Sequence, residues 1–173
     1  WKNFLTEDAF NYAKERVNPE NKKPYETIES DRLFNNLLSS QPMAFNLFCP
    51  LRQMLKESPE IATKVIKSAL PKHPIHRVTK VDLEFIPEKY KELTGDKSAM
   101  DAIIEFKDKD GKDGFIAIET KYSENLGSNA ASFMKLSGEK YEEKRQKYFK
   151  AIKELNLFLP DIEDKIRNRP SKL

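Results

Sequence analysis

Asp101-Ala102-Ile103-Ile104-Glu105-Phe106, Lys107-Asp108-Lys109-Asp110-Gly111-Lys112-Asp113-Gly114 and Phe115-Ile116-Ala117-Ile118-Glu119-Thr120-Lys121-Tyr122 follow one another without a break. The first segment is short, apolar and β-branched, which predicts a buried strand. The second has no apolar residue and is punctuated by Asp and Gly, as a turn is. The third predicts a second strand, so the three together make a hairpin with a longer loop. Side chains alternate along a strand, which puts Phe115, Ala117, Glu119 and Lys121 on one face and Ile116, Ile118, Thr120 and Tyr122 on the other.

That alternation carries a chemical expectation. An acid and an amine side by side at the end of an apolar strand are costly to desolvate unless they serve each other or a ligand. Antiparallel pairing brings Asp101, at the far end of the partner strand, back beside Glu119 and Lys121. Two carboxylates and a lysine in that arrangement suit a hard divalent cation held through oxygen, Mg²⁺ by default, with the lysine placed to orient or activate water. The same pattern also fits an ordinary hairpin with a salt bridge at its edge. Spacing does not choose between them.

Composition narrows the class. A chain of 173 residues with 38% hydrophobic and 34% charged residues can bury one core, so a single domain over 1–173 is expected. The net charge of +3 is too small to mark a nucleic-acid binder by itself, so any such surface must arise from local clustering. The one cysteine, Cys49, excludes an internal disulfide and a cysteine zinc cluster and fits a reducing compartment. No apolar run is long enough for a membrane span, and no signal segment opens the chain; a cytoplasmic location is the default expectation. The chain begins with Trp1 rather than Met, and a fragment truncated at the C-terminus is compatible with this reading.

Upstream, residues 1–18 predict a helix with Thr6 as N-cap, and Ile28–Leu38 a second. Ser39-Ser40-Gln41-Pro42 opens a third, apolar on nearly all sides and therefore buried, which Pro50 should bend or divide. Within it Gln41 and Asn46 stand out as polar. Ser58-Pro59 opens a fourth helix through Leu70. His73 and His76 have a possible metal-ligand spacing, but Pro74 between them argues against a shared helical face. Val78–Ile86 predicts a strand that carries Glu84. Pro87–Asp96 predicts a polar loop or short helix beside the hairpin. Glu139–Leu157 predicts an amphipathic helix whose lysines alternate with glutamates, the pattern of a solvated face. A further strand is expected near 129–136 or beyond the end, and a last short helix from Pro160.

Asp101 followed by Glu119-Thr120-Lys121 resembles the Asp…(Asp/Glu)-x-Lys core of the PD-(D/E)XK nuclease superfamily. The longer wording is more specific: Thr94-Gly95-Asp96 leading to Ser98-Ala99-Met100-Asp101, then Gly114 through Glu124. Together with Ser40-Gln41-Pro42-Met43-Ala44-Phe45-Asn46-Leu47-Phe48, it resembles a bacterial, restriction-endonuclease-like branch of that superfamily. Met100 stands where the superfamily has proline, and Cys49 where the branch has glycine.

The resemblance implies an α/β, restriction-endonuclease-like fold, with a small central mixed β-sheet flanked by helices on both faces. It implies a metal-dependent endonuclease that hydrolyses DNA phosphodiester bonds, of restriction or defence type. Mg²⁺ would be the cofactor, with Mn²⁺ able to substitute. Asp101 and Glu119 would hold the metal and Lys121 would act on the attacking water. Glu84, Gln41, Asn46 and Glu124 are possible supporting residues, and Glu29 a candidate further ligand. DNA is the expected partner and no membrane; a homodimer is compatible, and a partner methyltransferase is not readable. The alternative is a catalytically silent nucleic-acid-binding module on the same fold.

Overall fold

The computed structural model describes residues 2–21, 27–92, 95, 97–122 and 139–155. The chain forms two compact units: residues 1–86 with 98–123, and residues 87–97 with 124–173. The first contains helices α1 (Glu7–Val17), α2 (Ser30–Asn35), α3 (Ser40–Glu57) and α4 (Pro59–Ala69), then strands β1 (Arg77–Phe85), β2 (Met100–Lys107) and β3 (Asp113–Ile118). Its architecture is α/β, as the sequence predicts.

The helices begin where the capping chemistry places them. Thr6 Oγ1 accepts from Ala9 N at 3.2 Å and Ser39 Oγ from Gln41 N at 3.2 Å, each satisfying an otherwise orphaned amide of a first turn. α1 therefore starts at Glu7, with the preceding residues outside the helix. α2 is much shorter than the expected Ile28–Leu38. It ends at Asn35, and Asn36 Oδ1 accepts from Leu38 N at 3.0 Å, a local bond that replaces the next helical turn. Leu37 and Leu38 consequently lie exposed.

α3 runs unbroken through Pro50 for 18 residues. The proline removes one helical hydrogen bond without dividing the helix, because Phe45, Phe48 and Cys49 before it are anchored in the core and Leu51 and Leu55 after it pack against that core. The helix is one-sided rather than apolar all round, for Leu47 is 53% exposed. Ser58 occupies the N-cap position of α4 without a side-chain bond, its carbonyl accepting from Ile61 and Ala62 instead.

The sheet has the order β1-β2-β3, antiparallel throughout. The further strand expected near 129–136 or beyond the end lies outside the described residues, as does the expected helix from Pro160. One face of the sheet, formed by Val81, Leu83, Ala102, Ile104 and Phe106, shares a continuous core with α1, α3 and α4. Phe45 is fully buried there, its ring 5.8 Å from that of Tyr12 and 6.4 Å edge-on from that of Phe4.

The hairpin loop is shorter than predicted. Lys107 and Asp113 are already paired in the ladder and joined by a 2.6 Å ion pair. Asp108 Oδ1 accepts from the amides of Asp110 and Lys112, and Gly111 takes φ +77° to close the turn. Gly114 sits directly beneath the Phe106 ring, where a Cβ would lie 2.5 Å from Cζ.

In the second unit, α5 (Glu139–Leu155) buries Phe149 and exposes Lys147, Lys150 and Lys153. Lys147 pairs with Glu143 and Lys150 with Glu154, one turn apart, as on an ordinary solvated face. Tyr90 is buried, and Gly95 N donates to its carbonyl at 2.9 Å. No helix among the described residues is long and apolar enough to cross a membrane.

Candidate active site

Three strand ends carry the acids. Leu83 pairs with Ala102 and Phe85 with Met100, which leaves Glu84 level with Asp101. Ala102 pairs with Ile118, so the same register carried one residue further sets Glu119 opposite Asp101. β3 itself stops at Ile118, short of the predicted Tyr122. The reason is local: Thr120 N donates to Asp101 Oδ2 at 2.6 Å, so that amide no longer serves the ladder.

Asp101 Oδ2 also accepts from the Thr120 hydroxyl at 2.7 Å, and that hydroxyl lies 3.4 Å from the Ser40 carbonyl at the start of α3. Among the described residues Oδ1 has no hydrogen bond. The carboxylate is thus held by one oxygen and leaves the other open. Thr120, a spacer in the sequence motif, fixes its orientation; its only signal in the sequence is a β-branched hydroxyl on the core face of the strand.

Glu119 and Lys121 continue the alternation beyond the end of β3. They share the face of Phe115 and Ala117, and that face is exposed rather than buried as the desolvation argument assumed. The Lys121 ammonium pairs with Glu119 Oε1. Both keep much of their solvent, with side chains 42% and 57% exposed.

The desolvated acid is Glu84, one of the supporting residues that the resemblance suggests. It is buried and has φ +48°, a conformation few residues other than glycine adopt. That twist turns its side chain toward α3, where Gln41 Nε2 donates to Oε1 at 3.0 Å. Burial pushes the Glu84 carboxyl above the usual carboxylate range, with the nearby Asp101 charge adding to the rise and the Gln41 bond opposing it. Gln41 Oε1 is buried with no hydrogen-bond partner. Arg16 holds the twisted backbone, donating to Leu83 O at 2.7 Å.

The other candidates are placed elsewhere. Asn46 Oδ1 accepts from Leu5 N and its Nδ2 donates to Asn3 O, both at 2.8 Å, so the amide fastens the N-terminal segment to α3. Glu29 is exposed at the N-cap position of α2. His76 N donates to Lys107 O, and both imidazoles lie in an exposed loop. Glu124 lies outside the described residues. The Cys49 thiol, its pKa pushed up to about 12 by burial, is a packing group.

Among the described residues no group of three or more His, Cys, Asp or Glu side chains is arranged to hold a metal ion. The donors present are oxygens of the kind a hard divalent cation takes. Mg²⁺ keeps several waters and commonly takes one or two carboxylates plus substrate phosphate, which Asp101 and Glu119 can supply. Softer metals that need a full imidazole or thiolate cage find none here.

A family model described as the PD-(D/E)XK nuclease superfamily matches residues 1–172. No curated protein and no solved structure shows a significant match. The match spans both upstream and hairpin motifs, and the α/β fold agrees with it: the chain belongs to the PD-(D/E)XK nuclease superfamily.

Proposed function

We propose that the protein is a Mg²⁺-dependent endonuclease that hydrolyses DNA phosphodiester bonds, of restriction or defence type. Membership of a nuclease superfamily supports hydrolysis of phosphodiesters. The observation that carries the finer reading is the opposition of Asp101 and Glu119 at the strand ends with Lys121 beside them.

Asp101 and Glu119 would hold the cation, and one Asp101 oxygen is left open for it by Thr120. Bound there, Mg²⁺ supplies Lewis-acid polarisation of the scissile phosphate, and Mn²⁺ can take its place. Lys121 positions the attacking water or, as the neutral amine, takes its proton, and the departing 3′ oxygen is protonated from solvent. Gln41 and Glu84 brace the floor beneath Asp101. The alternative reading is a catalytically silent nucleic-acid-binding module on the same fold.

Incubation of supercoiled plasmid with the protein and Mg²⁺ or Mn²⁺ tests both. Nicking that EDTA and Lys121→Ala each abolish, with DNA affinity retained in the variant, is the expected result. Undiminished cleavage by Lys121→Ala removes the role given to that lysine; no cleavage by the wild type with binding intact favours the silent module.

A further inference from the structure

A second charged surface lies away from the acids. Between Ile61 and Val81 the chain has no Asp or Glu, yet it holds Lys64, Lys67, Lys72, Arg77 and Lys80. That stretch alone carries more positive charge than the +3 net of the whole chain. Such segregation contrasts with α5, where lysines alternate with the glutamates that pair with them.

The fold gathers part of the stretch into a groove of about 370 Å³ between α4 and the start of β1, lined by Glu60, Thr63, Lys64, Lys67, His76 and Arg77. Thr63 fixes its floor: the hydroxyl donates to Pro59 O at 2.8 Å and accepts from Val78 N at 3.1 Å, tying α4 to β1. Lys80 is neutralised by Asp82 and Glu105, each at 3.5 Å. Lys64, Lys67 and Arg77 form no ion pair among the described residues, and all three are exposed. Unpaired like charges around a concavity repel one another until an anion enters.

We propose that this groove anchors the phosphate backbone of nucleic acid at a point remote from the cleavage centre. The proposal rests on the nuclease reading above. Arg77 opens β1 and Glu84 lies near its other end, a separation of roughly 23 Å at about 3.3 Å per residue. An extended polyanion fits better than a small phosphate compound. The cations sit on an open rim that continues to exposed Lys72, and the one buried hydroxyl, Thr63, already has both its bonds. Backbone contacts of this kind add affinity and salt dependence without sequence preference.

The test is fluorescence anisotropy of the full chain with a labelled duplex of about 30 base pairs, in EDTA, across salt from about 50 to 200 mM. The triple variant Lys64→Gln, Lys67→Gln, Arg77→Gln should bind roughly tenfold or more weakly, with the slope of log K against log salt flattened by roughly 2 to 3. Glu60→Gln removes the one acid of the groove and should strengthen binding, which checks the surface without depending on the fold of the triple variant. Unchanged affinity and slope in both variants overturns the anchor. So does a groove that takes inorganic phosphate or a mononucleotide while DNA binding ignores the substitutions. Failure of the nuclease reading shows separately, as absence of metal-dependent plasmid cleavage by the wild type.

Discussion

Asp101 Oδ2 accepts both the backbone N–H and the hydroxyl of Thr120, at 2.6 and 2.7 Å. The residue between the two charged members of the Glu-x-Lys motif therefore aims the aspartate on the neighbouring strand. Since the Thr120 hydroxyl also approaches the Ser40 carbonyl, β2, β3 and α3 meet at one side chain.

Thr120→Val keeps the shape and the amide bond but deletes the hydroxyl. Loss of one buried hydrogen bond should cost about 1 kcal/mol of stability. A freer Asp101 should raise the Mg²⁺ concentration needed for half-maximal plasmid cleavage several-fold. A metal titration of cleavage checks this; an unchanged midpoint would show that Thr120 serves the fold alone.

Glu84 gives a pH-dependent prediction. Its carboxyl is raised above its unfolded value, so folding favours the protonated form, and that stability is fully present below the unfolded pKa. It is lost as pH rises through the folded pKa. Glu84→Gln should therefore raise the melting temperature by a few degrees at pH 8 and change it little near pH 4. Thermal melts across that range check the sign.

Asn46→Ala separates fold from site. Both ends of the amide are spent on the backbone of Asn3 and Leu5, so the substitution should destabilise by roughly 1–3 kcal/mol. Cleavage per folded molecule should stay within about twofold of wild type, because those bonds do not touch Asp101, Glu119 or Lys121. Urea unfolding beside specific activity measures both.

Gly114→Ala places a methyl 2.5 Å from the Phe106 ring, and the ring must move within a packed core. Overpacking of this kind costs roughly 1–3 kcal/mol. Phe106→Leu in the same chain should recover part of that loss, since it removes the clashing atoms. A double-mutant cycle by urea unfolding reads the coupling; strictly additive losses would show that the ring is not the obstacle.

The hairpin, the cap at Thr6, the serine cap of α3 and the side-by-side placement of Glu119 and Lys121 were legible in the sequence. Each depends on local chemistry: apolar alternation, a hydroxyl before a helix, an acid and an amine two residues apart after an apolar run. The alternation also extends through Thr120, which is buried between exposed Glu119 and Lys121, and ends there, since Tyr122 is exposed as well. Long-range packing decided the rest. Nothing near Pro50 in sequence shows that neighbours in the core keep α3 whole. Nothing near Glu84 shows that a positive φ turns it under Gln41, because that twist is held by Arg16, which lies 67 positions from the Leu83 carbonyl it binds. The sequence by itself determined which groups are available for chemistry; only the tertiary structure decided which carboxylate is buried and which keeps its water. Burial and aim belong to contacts between residues far apart in the chain, and a residue's own neighbours do not encode them.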